Sequence, residues 1–215
     1  MELPVFMNLI KYFELAAALV GFLYYNKLKG SFWSFFPFFL LTLFLFECLG
    51  LWMSENKIHN NDLYKYVVEP FIFFAYSYLF KKILPNNFSK FIYVGFVVYT
   101  CSLLAEVTIL ASLHPYYSSF SLSVINVFFL IYVLKYYIEL VKSEQILTFY
   151  NQLEFWFCSG VLIFYLGCLP YFSLYNLIVA NFYNSIFIPY SWVFVGLNYI
   201  MYLLFIVGFI WNKKK

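Results

Sequence analysis

Runs of about 20 apolar residues alternate along this chain with short polar stretches, and at about 1.5 Å of rise per helical residue each run is long enough to cross a bilayer. Seven such runs stand out, at 4–25, 31–53, 65–84, 88–111, 119–141, 153–172 and 188–211. The pattern predicts an all-α integral membrane protein: a single seven-transmembrane-helix bundle occupying residues 1–215. The connections leave no room for a second domain. The first run is the weakest, interrupted by Asn8, Lys11 and Glu14, and the third opens on Glu69-Pro70, where proline suits a first helical turn.

The polar stretches supply an orientation. Loops one, three and five, the end of the fifth run and the carboxyl tail hold Lys27, Lys29, Lys81, Lys82, Lys90, Lys135, Lys142 and Lys213 to Lys215, ten of the 13 lysines. Loop two holds Lys57 and Lys65, and Lys11 lies within the first run. Lysine marks cytoplasmic loops, so the amino terminus is expected outside and the carboxyl terminus in the cytoplasm. No basic stretch precedes the first run and no small-residue cleavage site follows it, so it reads as a span and not as a cleaved signal.

Composition agrees with the pattern. The chain is 65% hydrophobic and 11% charged, where a soluble domain has about 45–50% and about 25%. The lipid bilayer is therefore the expected partner, and nothing points to nucleic acid. Arginine is absent, which excludes bidentate arginine clamps for phosphate or carboxylate. The 27% aromatic content reads as large side chains on lipid-facing positions plus interfacial Trp and Tyr. Cys48, Cys101, Cys158 and Cys168 all lie within apolar runs with no CxxC spacing, so no disulfide framework is expected.

Polar groups inside the runs are the candidates for function, because a charge at the bilayer centre costs about 2.5–3.5 kcal/mol. Glu14 falls near the midplane, with Lys11 one turn before it as an i, i+3 partner. Glu47 and Glu106 share a depth, about 9 and about 8 Å below the outer ends of their runs. Glu69 enters the third run at the outer surface, and His59, Asp62 and His114 lie on the outer loops. Glu47, Glu69, Glu106, His59 and His114 thus form a candidate outer vestibule with groups suited to a divalent cation or to proton sensing. Their spacing matches no metal motif, which leaves any metal unknown. Asn126 and Asn198 are expected to hydrogen-bond between helices, Glu154 to favour a helix N-terminus, and Lys135 and Glu139 to form a surface pair. Gly160, Gly167 and Pro170 make the sixth run the expected moving element.

Known chemistries find no purchase. Retinal binding needs a lysine in the last helix, and Ser191 to Trp211 contains none. HExxH, GxSxG and acid-rich prenyl-diphosphate motifs are also absent. No enzyme activity and no cofactor are expected. The stretch from Phe155 to Pro170, with Glu47-Cys48-Leu49-Gly50 and Tyr199-Ile200-Met201-Tyr202, resembles a group of small seven-helix bacterial inner-membrane proteins. Those proteins have no established activity and are often associated with sensor histidine kinases. The resemblance implies a bacterial inner-membrane location and a cytoplasmic signalling partner. Loops this short cannot fold into an effector. The leading expectation is therefore a sensory or accessory subunit that relays an outer signal to a separate partner. The alternative is a proton or small-cation transporter that uses Glu14.

Overall fold

The computed structural model describes residues 3–108, 119–174, 177–178 and 181–213. Seven α-helices of 15 residues or more order the described chain: α1 Leu3–Leu23, α2 Phe36–Glu55, α3 Glu69–Ile83, α4 Ser89–Thr108, α5 Ser119–Lys142, α6 Leu153–Ser173 and α7 Ile188–Trp211. Each overlaps one of the seven apolar runs. Five helical stretches, Phe32–Glu55, Asn86–Thr108, Phe120–Lys142, Leu153–Tyr171 and Ser185–Trp211, are long and apolar enough to cross a membrane. This is the architecture of a multi-pass membrane protein.

The helix starts follow local chemistry. Ser31 donates its hydroxyl to the Leu28 carbonyl and accepts from the Trp33 N–H, so the second run opens as a 3₁₀ turn, Phe32–Phe35, before α2 begins. Both α3 and α7 carry proline at their second position, and a wide π turn precedes each: Tyr64–Val68 before Pro70, and Tyr183–Phe187 before Pro189. Proline has no N–H for the carbonyl four residues back, and its ring presses on that carbonyl. The preceding turn widens to i→i+5 bonding instead. This explains why α3 begins at Glu69 and not at residue 65.

The helices close into a ring. α1 packs between α2 and α7, α6 packs between α7 and α5, α4 lies on α5, and α3 closes the circle against α2, α4 and α5. Gly160 and Gly208 set the α6–α7 spacing: a Cβ on Gly160 would stand 2.9 Å from the Phe205 ring and 3.2 Å from the Met201 carbonyl oxygen, and one on Gly208 only 2.7 Å from Leu153. Tyr190 of α7 also donates its hydroxyl to the Gly167 carbonyl, next to Pro170. The sixth run is therefore clamped on both flanks, with Phe157, Cys158, Val161 and Cys168 fully buried. Pro170, one basis for expecting this run to be the moving element, lies inside the helix.

The aromatic residues also depart from expectation. Many are exposed on the outside of the bundle, but a second set forms the core. Phe36, Phe73, Phe80, Phe129, Phe157 and Phe205 are completely buried. Phe157 touches Phe36 at 5.5 Å, Tyr76 at 5.1 Å, Phe80 at 5.5 Å and Phe205 at 5.7 Å between ring centroids. Offset and edge-on ring pairs each contribute about 0.5–1.5 kcal/mol beyond the area they bury.

The lysine-bearing segments meet at one end of this ring. Lys27 Nζ donates to the Ile210 carbonyl, the Lys213 N–H to the Asn151 carbonyl, and Trp33 Nε1 to Glu154. Loops one and five and the carboxyl tail are thus joined directly.

Candidate functional site

At the other end lies a cavity of about 460 Å³. Its walls come from the amino-terminal parts of α1, α3, α5 and α7 and the carboxyl-terminal parts of α2 and α6, together with Tyr64 and Val68 of the π turn. Helices alternating in direction bring those parts to one end. Asn8 is exposed, and Lys11, Glu47 and Tyr64 are half-buried, which marks the mouth. Deeper lie Glu14, Glu69, Tyr76, Asn198 and Tyr202, all buried.

Two carboxylates define the chemistry. Glu14 of α1 is 4% exposed and accepts a hydrogen bond from the Tyr202 hydroxyl of α7 at 2.5 Å. Its other oxygen, Oε2, is buried with no hydrogen-bond partner. Glu47 of α2 accepts from the Tyr64 hydroxyl at 2.9 Å. Gly50 makes that bond feasible: a Cβ there would lie 2.6 Å from the Tyr64 oxygen, so only glycine one turn beyond Glu47 leaves room for the ring. The Asn60 side chain donates to the Gly50 carbonyl at 3.1 Å and holds the loop over the same turn. Glu14 and Glu47 are near enough for their charges to interact, and Lys11 acts on Glu47.

Other expected groups fall differently. Lys11 and Glu14 do not form the i, i+3 ion pair; among the described residues the salt bridge within 4.0 Å is Lys135–Glu139, at 2.6 Å. α1 instead turns both groups toward the cavity, where Tyr202 takes the role of partner to Glu14. Glu106, expected at the depth of Glu47, has different surroundings. Its carboxylate accepts the Ser121 N–H at 2.9 Å and the Phe120 N–H at 3.4 Å, capping the start of α5 from a neighbouring helix. It does not line the cavity. Glu69 does, in the first turn of α3. His59 and Asp62 are exposed on the loop before α3 and also stand off the lining. His114 lies outside the described residues.

Neither asparagine makes the interhelical bond expected of it. Asn126 is fully buried, and its side-chain nitrogen and oxygen both lack partners. Asn198 donates to the Phe194 carbonyl of its own helix at 3.0 Å and presents its amide to the cavity. Among the described residues no three His, Cys, Asp or Glu groups gather as a metal site. Cys48, Cys101, Cys158 and Cys168 are free thiols. Glu154 lies in the first turn of α6, as its position suggested.

Tyr64 and Tyr202 are the site residues that sequence reasoning passed over. A signal existed for one of them: Gly50, one turn from a membrane glutamate, leaves space on the face that the carboxylate uses. The bundle is that of a multi-pass membrane protein, with a mainly apolar cavity at one end into which a few acidic groups are set. No protein family, no curated protein and no solved structure matches the chain.

Proposed function

We propose that this chain is a seven-span membrane receptor or accessory subunit, amino terminus outside, that takes a small ligand into the outer cavity and passes the change to a separate cytoplasmic partner. The observation that carries this reading is the convergence of Glu14 and Glu47, with Lys11 at the mouth, in one chamber above a floor of buried rings. Its volume lies within the range of about 300–1,000 Å³ usual for small-molecule sites, and its lining has the usual mixture of apolar walls and few polar groups. The lysine distribution supports the orientation, and an inner (cytoplasmic) membrane is the setting that the resemblance suggests.

The buried rings favour a chamber entered from one side over a continuous path. Phe36, Phe80, Phe157 and Phe205, all fully buried, occupy the space between the cavity and the lysine end. Occupation would act on α1, α2, α3 and α7, which carry the charged and amide groups of the lining. Loop one joins the last turn of α7 at the far end of these helices through Lys27 and the Ile210 carbonyl.

Transport is the rival reading, favoured by the buried carboxylate at Glu14. Proton and cation flux into vesicles carrying the purified chain separates the two. The receptor reading expects no flux above that of empty vesicles. Flux that disappears with Glu14→Gln would replace it with transport.

A further inference from the structure

The cavity carries an unmet hydrogen-bonding requirement. Glu14 Oε1 is satisfied by Tyr202, but Oε2, on a side chain only 4% exposed, has no partner. Buried polar atoms in folded proteins are nearly all satisfied. In its ionised form Glu14 only accepts, so the partner that would hold it charged is a donor.

The charge of that donor follows from the lining. Three carboxylates, Glu14, Glu47 and Glu69, line the cavity against the single ammonium of Lys11. An occupant carrying positive charge reduces the imbalance, and a charge-assisted bond to Oε2 is stronger than a neutral one. A bare metal ion suits the site poorly: no three metal-ligating groups gather among the described residues, and an ion would leave most of about 460 Å³ unfilled. The remaining walls include Tyr76, Phe164, Phe194 and Met201. Aromatic faces attract organic cations and also take up an apolar body.

We propose that the cavity binds an organic ammonium ion that keeps at least one N–H and carries an apolar group, its nitrogen beside the Glu14 carboxyl group and its apolar part among the side chains of α3, α6 and α7. This rests on the reading of the cavity as a ligand chamber and adds the class of ligand. It does not depend on the cytoplasmic partner.

Calorimetric titration of the full chain in lipid nanodiscs, referenced to empty nanodiscs, tests it with three probes of similar shape. These are 2-phenylethylamine, the neutral 2-phenylethanol, and the trimethylated ammonium analogue that has charge but no N–H. The amine should bind about tenfold or more tighter than either of the others, the ratio expected for a charge-assisted bond. Glu14→Gln, which keeps an oxygen for Tyr202, should erase most of that preference. Glu47→Gln should weaken it less. Equal binding of amine and alcohol overturns the ammonium assignment, a preference that survives Glu14→Gln overturns the placement of the nitrogen at Glu14, and either result leaves the ligand chamber standing. No binding of any probe together with cation flux overturns both. Should Glu14→Gln fail to fold, the ratio of the three probes on the unaltered chain still decides.

Discussion

The two ends of this bundle solve opposite problems with the same seven helices. Toward the lysine end, aromatic rings from α2, α3, α5, α6 and α7 pack against one another, and Phe36, Phe80, Phe157 and Phe205 lose all exposure. At the other end, the same helices part around about 460 Å³ and turn carboxylates into the gap. A protein that only needed to be stable in lipid would fill both ends alike, since buried acids are costly there. On the proposed reading, the ring-packed end supplies stability and the open one recognition.

The largest break of this comparison is expected from Phe157→Ala. The ring touches Phe36, Tyr76, Phe80 and Phe205, and its removal should cost about 3–5 kcal/mol. Thermal unfolding in detergent measures it. A loss below about 1 kcal/mol would mean that the rings fill space without holding the fold.

Glu106→Gln sharpens the comparison from the opposite side. Glu106 is an acid as buried as Glu14, yet it caps the N–H groups of Phe120 and Ser121. Its neutralisation should cost about 1–3 kcal/mol through the lost charge-assisted bonds and dipole interaction while leaving amine binding unchanged. Stability and binding measured together separate it from Glu14. A binding defect as large as that of Glu14→Gln would place Glu106 in the site after all.

The smallest effect is expected at Asn126. Both polar atoms of its side chain are buried without partners, so Asn126→Leu should be neutral or stabilising by about 1 kcal/mol, because an unsatisfied amide is removed. A clear fall in melting temperature would show that this amide is engaged in the membrane.

The elements were legible and their rotations were not. All seven helices fall on apolar runs, because length and hydropathy are properties of each segment alone. Depth was legible in the same way, and it paired Glu47 with Glu106. Depth does not specify which neighbour a residue faces. Glu47 turns to the cavity and Tyr64, while Glu106 turns to the first N–H groups of α5. The partner of Glu14 shows the same limit: Lys11 is one turn away in sequence, but Tyr202, 188 positions on, donates the bond. The aromatic core was hidden for a related reason. Phe36 and Phe38 are equally apolar, and only packing buries the first and leaves the second 52% exposed.

The central claim is that the carboxylate-lined chamber opens to one side only, over a closed aromatic floor. The direct measurement is sided labelling of Asn198→Cys in a chain whose four native cysteines have been replaced, sealed in vesicles, with a small membrane-impermeant thiol reagent. A cysteine at His59 marks one side and a cysteine at Lys213 the other. The prediction is that position 198 reacts from the His59 side alone. Reaction from the Lys213 side would reveal a path through the rings and contradict the account.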